Sequence, residues 1–161
     1  MNSLDWQIQE YRQQLSKGHI QKAYKGIMTF MSGLKSTLEN NHPDFFTSAL
    51  YFGYMDMTYF AFMPAVLRDK KLKIAIVYLH EPGRFEVWLG GNNRKIQADY
   101  IHRLSQRDLG KYQLSQVAPG VDSIIESIIV QRPNFDQLDE LKRLIEAKTM
   151  EFIRDLTALL E

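Results

Sequence analysis

A chain of 161 residues, 45% of them hydrophobic, carries enough apolar side chain for one well-buried core and too little for two, so residues 1–161 are read as a single globular domain. The absence of cysteine excludes disulfides, thiolate zinc sites and cysteine nucleophiles, and a net charge of +1 argues against a general polyanion binder, which disfavours nucleic acid as a partner. Met1–Arg12 lacks the basic start and apolar stretch of a signal peptide, and no apolar segment of about 18 residues is present to cross a bilayer. A soluble cytoplasmic protein with no membrane partner is therefore expected.

Leu4, Ile8, Tyr11 and Leu15 recur at helical spacing behind Asn2 or Ser3 as N-cap, and Gly18 stands where a helix stops, which predicts a helix over 3–16. A second helix follows from about His19 to Glu39 on a stripe that includes Ile20, Ile27, Phe30, Leu34 and Leu38, and it stops at Asn40–Pro43. Gly26 and Gly33 lie two turns apart inside it, a spacing that close approach of another backbone would explain and that equally fits two ordinary tolerated glycines. Tyr51–Phe60 is rich in strand formers and is expected to be the first strand, ending by Pro64. Its alternation sets Tyr54, Asp56, Thr58 and Phe60 on one face.

Leu72–Leu79 is apolar and β-branched enough for a strand buried on both faces, and Pro82-Gly83 turns the chain. Phe85, Val87 and Leu89 then alternate with Arg84, Glu86 and Trp88 in a second strand. This hairpin is the element on which the others must pack. A two-residue and a three-residue loop both fit its turn, which leaves the register open. Gly90-Gly91-Asn92-Asn93 leads into a third helix with Ile96, Tyr100, Ile101 and Leu104 as its apolar side, and a short strand is expected over Tyr112–Val117. Ile124–Val130 mixes helical spacing with β-branched content, and its shortness favours a strand. The last helix runs from about Asp136 to Leu160, with Asp136, Asp139 and Glu140 complementing its dipole. The pattern predicts an α+β domain: an antiparallel sheet of three to five strands covered by about four helices, in the order two helices, three strands, a helix, one or two strands and a helix.

Four segments, Gly53–Phe60 (GYMDMTYF), Lys71–His80 (KLKIAIVYLH), Arg84–Leu89 (RFEVWL) and Pro133–Leu141 (PNFDQLDEL), resemble those of a family of small bacterial proteins known only as a domain of unknown function. The likeness extends over nearly the whole chain. It implies a bacterial cytoplasmic protein and carries no activity, cofactor or partner with it.

Charge is unevenly placed: residues 68–111 hold ten Lys and Arg against five Asp and Glu, whereas 134–161 hold four against seven. That asymmetry suits an anionic ligand near the middle of the chain, a basic region covered by an acidic helix, or a solvated surface. The sharpest candidate is the turn Gly90, Gly91, Asn92, Asn93 with Arg94 and Lys95 in the following first helical turn. Cations there oppose the helix dipole, and backbone N–H groups and basic side chains converge as they do on an anion; the alternative is a surface turn with solvated bases.

A second candidate joins Tyr54, Asp56 and Thr58 to Glu86 and Trp88, which meet on one face if the first strand neighbours the hairpin. Two carboxylates in an aromatic pocket suit acid–base work or a structural role. His19, His42, His80 and His102 show no metal-ligand spacing and no nucleotide-binding glycine motif is present, so neither metal nor cofactor is expected; His80 is read as a solvated turn residue. Element order alone resembles a restriction-endonuclease-like core, yet Glu86-Val87-Trp88 lacks the lysine of Glu-x-Lys, which leaves nucleic-acid binding through Arg94, Lys95, Arg103 and Arg107. The favoured reading is a small ligand-binding or interaction module for an anionic or apolar ligand, with an enzyme or degenerate enzyme acting on nucleic acid as the alternative. The ligand, and homodimer formation through the last helix, are left open.

Overall fold

The computed structural model describes residues 3–161. Ser3 caps helix α1 (Leu4–Ser16) by accepting from the Trp6 N–H at 3.2 Å, and Gly18, at φ +80°, breaks the chain into α2 (His19–Asn41). Only the C-terminal half of α2 is covered, through Phe30, Met31, Leu34 and Leu38. A two-residue edge strand β1 (Phe46–Thr47) precedes β2 (Met57–Met63), and a short helix α3 (Ala65–Asp69) begins directly after Pro64. The hairpin β3 (Leu72–Leu79) and β4 (Arg84–Gly91) follows, then α4 (Arg94–Leu104), β5 (Ile125–Val130) and α5 (Leu138–Leu159).

The five strands form one antiparallel sheet whose spatial order is their chain order. Cross-strand partners share a face. Phe60, Ile76 and Val87 form one row, and Ile74, Leu89 and Ile125 another, on the side covered by α2 and α5. Phe30 of α2 packs on Phe85 and Phe135, and Leu141, Ile145, Phe152 and Leu156 of α5 complete this core. The other face carries Tyr59, Val77 and Glu86 in one row, Ala61, Ala75, Trp88 and Glu126 in the next, and Lys73 opposite Gly90.

Several expectations are corrected in detail. Tyr51 makes only an isolated bridge to Tyr59, and Phe52–Asp56 is a turn and not strand, because Gly53 (φ +77°) and Met55 (φ +65°) take left-handed conformations. A Cβ at Gly53 would lie 1.9 Å from the Met57 carbonyl oxygen, so glycine is required there. The hairpin loop has four residues, His80–Gly83, with Leu79 opposite Arg84. Gly83 at φ +68° donates to the Leu79 carbonyl, while the His80 N–H turns aside to the Asp56 carbonyl. The strand expected at Tyr112–Val117 shrinks to a single bridge between Leu114 and Ile125. No backbone crosses Gly26 or Gly33: the first has open space, and the Lys142 side chain lies over the second. The edge strand β1 and the short helix α3 were not anticipated.

Leu34 is wholly buried, so Leu34→Ala is expected to lower the free energy of unfolding by about 2–5 kcal/mol. Val117→Ala, in an exposed loop, should stay within about 0.5 kcal/mol. Urea titration followed by circular dichroism measures both.

Candidate functional site

The face of the sheet turned away from the core is hollowed where its side chains are small. Ala75, Val77 and Gly90 floor a cleft of about 270 Å³, with Tyr59 of β2 on one side and Trp88 of β4 on the other. Adjacent strands lie ~4.8 Å apart, so β2 and β4 stand ~10 Å apart across β3, with Tyr59 one same-face row along from Trp88. Gly91, Asn92, Asn93, Arg94, Gln97 and Asp122 close one end. The glycines permit this closure: a Cβ on Gly90 would lie 3.3 Å from the Asp122 carbonyl oxygen, and one on Gly91 would lie 2.8 Å from the Gln97 nitrogen.

Trp88 is held in place from behind. Its Nε1–H donates to Glu86 Oε1 at 2.8 Å, and Arg84 Nε donates to Glu86 Oε2 at 2.7 Å. Residues 84, 86 and 88 share a face because strand side chains alternate, so a single carboxylate bridges its two neighbours. Glu86 is only 3% exposed, and both of its oxygens are engaged. At the closed end, Arg94 donates to the Val121 and Ala118 carbonyls and pairs with Asp122 at 3.1 Å, while Gln97 donates to the Val121 and Ser123 carbonyls. These bonds tie the 118–123 segment to α4. Lys73, the one charge in β3, forms no ion pair among the described residues. Burial, and then the neighbouring Tyr51 and Asp122, push the Tyr59 hydroxyl above its ordinary pKa, so it faces the cleft as a neutral group.

The family model described as a domain of unknown function (DUF7000) matches residues 4–160. The chain belongs to that family. No curated protein and no solved structure matches it significantly.

In this DUF7000 chain, the two candidate sets read from sequence are each divided. Gly90, Gly91, Asn92, Asn93 and Arg94 all line the cleft, but Lys95 is exposed outside it. Gly90 and Gly91 end β4, and Asn93 caps α4 by accepting from the Ile96 N–H. Of the other set only Trp88 lines the cleft, with Glu86 behind it. Thr58 points to the core face, Tyr54 is exposed, and Asp56 sits in the turn before β2. There Asp56 accepts from the Tyr54 N–H at 2.9 Å, and that bond with its backbone neighbours holds its carboxyl below the usual range. Asp56 and Glu86 therefore do not meet, since β3 lies between β2 and β4 and the turn carries Asp56 off the strand.

The basic residues considered for nucleic acid do not share one surface role. Arg94 holds the 118–123 segment, Arg103 lies over the Tyr100 ring, and Arg107 donates to the Leu159 carbonyl at the end of α5. Among the described residues no group of three or more His, Asp or Glu is placed to hold a metal ion, and no helix is long and apolar enough to cross a membrane. Tyr59, Lys73, Ala75, Gln97 and Asp122 were missed as cleft residues. Lys73 and Ala75, a charge and a small side chain in an otherwise bulky apolar strand, gave a signal; Asp122 arrives from a loop and gave none.

His80 is half-buried, not a solvated turn residue. Its ring stacks on Tyr24 and meets Tyr78 edge-on. Thr58 Oγ1 donates to the Phe52 carbonyl at 2.7 Å, so its 2.8 Å contact with His80 Nε2 requires the imidazole N–H to donate. Burial depresses the pKa of His80 below 6.5, against the opposing charge of Asp56. Its contribution to stability is thus present above pH 6.5 and lost as pH falls toward the depressed folded value, where the unfolded chain takes the proton first. The melting temperature should fall more between pH 7.5 and pH 5 for the native chain than for His80→Gln. Equal falls in the two proteins, followed by differential scanning fluorimetry, would remove this linkage.

Proposed function

We propose that the protein is a small-molecule-binding module whose open-face cleft takes a planar, ring-bearing anion of low charge. The observation that carries this reading is the indole of Trp88, fixed by the buried Glu86 over a cleft that also holds the unpaired Lys73. Desolvating a carboxylate is costly and a hydrophobic pair of similar volume often serves stability equally well, so burying one to orient a ring that faces solvent suits a surface shaped for contact. A rigid indole offers a large stacking face with little conformational entropy to lose, and Tyr59 supplies a second wall. The stem of Lys73 runs beside Gly90, and the residue lines the cleft. Arg94 and Asp122 largely cancel each other, so one positive charge remains. That favours a carboxylate, sulfonate or single phosphate ester over a polyphosphate. The volume of about 270 Å³ suits a ligand of one or two rings.

The dye anilinonaphthalene sulfonate, a ringed monoanion, tests the reading. In Trp6→Phe, which leaves Trp88 as the sole tryptophan, the bound dye should quench indole emission by energy transfer. Ala75→Leu, which fills the cleft floor, should abolish that transfer, and Lys73→Gln should weaken binding about 5-fold, the worth of one partly exposed ion pair. Dye bound equally by all three proteins would reject the cleft as the site.

A further inference from the structure

Helix α1 is 13 residues long and buries none of them. A free helix of about that length is marginal in water, and in proteins such helices depend on a packed apolar face. That face exists and lies bare. Leu4, Ile8, Tyr11 and Leu15 repeat at alternating spacings of four and three, the seam of a helix pair, with Leu4 71%, Ile8 44% and Tyr11 55% exposed. Asp5 and Arg12, two turns apart, border the seam along the same side, and among the described residues neither pairs with an opposite charge.

We propose that α1 is a dimerisation helix that packs antiparallel on α1 of a second copy of this chain. A two-fold axis passing between Gln9 and Glu10 sets Leu4 against the partner's Leu15 and Ile8 against the partner's Tyr11, each contact occurring twice, as an isologous interface requires. In the same register, flanking positions on one side of the two helices face each other, so Asp5 meets the partner's Arg12 and Arg12 meets the partner's Asp5. One alignment thus satisfies the apolar seam and the charges together, and the complement of this surface is the surface itself.

The available area agrees. Met55 shares an apolar hollow with Trp6, Tyr11 and Leu15, which joins the helix to the exposed turn bearing Phe52 and Tyr54. At ~150–250 Å² for a full aromatic side chain, the exposed fractions of Tyr11, Phe52 and Tyr54 amount to roughly 400 Å². Leu4, Ile8 and Met55 bring this surface above the few hundred Å² usual for a monomer's apolar patch.

Sedimentation equilibrium of the full chain tests the proposal, with twice the 18.8 kDa chain mass expected. Ile8→Asp should raise the dissociation constant at least about tenfold, while the melting temperature of the isolated monomer stays unchanged because the residue is exposed. Asp5→Arg and Arg12→Asp should each weaken the dimer by ~3–10-fold, and an equimolar mixture of these two variants should recover it, since each restores the charge the other lacks. A monomer mass at all concentrations overturns the proposal. So does a dimer indifferent to Ile8→Asp and to both charge variants, which would place the interface elsewhere. Binding of the monomer to vesicles of anionic lipid without self-association also overturns it, because the seam would then be a membrane face.

Discussion

Because side chains alternate along a strand, pairing Val77 with Glu86 and Ala75 with Trp88 across the central hairpin distributes every neighbouring residue at once. Ile74, Ile76 and Tyr78 go to the helix side together with Phe85, Val87 and Leu89, and the core forms around them. Lys73, Ala75 and Val77 go to the other side with Glu86, Trp88 and Gly90. A slip of one residue would put Glu86 among phenylalanines and Val87 in the cleft. The helices reinforce the pairing, since α2 and α5 bring Phe30 and Phe152 to one face only.

The same pairing explains how a buried carboxylate is tolerated. Glu86 occupies the middle of three alternating positions, so Arg84 and Trp88 reach it without crossing a strand, and it leaves no unsatisfied oxygen. A second polar group lies near the same hairpin end of the sheet but on its core side, where Thr58 links the Phe52 carbonyl to His80. This second network anchors the turn before β2, whose left-handed Gly53 and Met55 give it little regular hydrogen bonding of its own. The cleft and the His80 network are separated by the thickness of the sheet, so each can be altered with small effect on the other.

Element types were legible where the local signal was dense. The first two helices followed from apolar spacing and the caps at Ser3 and Gly18, and the hairpin from β-branched content and Pro82-Gly83. Ile124–Val130 was resolved as strand by its pairing with β4, a long-range contact that no local pattern encodes. The turn at Phe52–Asp56 reads as strand in the sequence because aromatic residues have strand propensity, whereas the backbone there is set by Gly53 approaching the Met57 carbonyl. The candidate sites were split for a related reason. Alternation correctly separated Glu86 and Trp88 from Phe85 and Val87, but grouping them with Asp56 and Thr58 assumed both a strand where there is a turn and a neighbour where β3 intervenes.

From the sequence alone came the class of fold, the hairpin, the approximate limits of the long helices, and the glycine-asparagine turn Gly90–Asn93 that leads into α4. These are local properties, fixed by periodicity, turn chemistry and capping over a few residues. Tertiary structure decided that Trp88 and Tyr59 border one cleft from neighbouring rows of the sheet, that Arg94 is occupied by the 118–123 segment while Lys73 has no ion-pair partner among the described residues, and that α1 stands with its apolar seam uncovered. Each of these depends on which distant segments lie side by side, and the free energy that selects such neighbours is summed over the whole core and written in no single stretch of the chain.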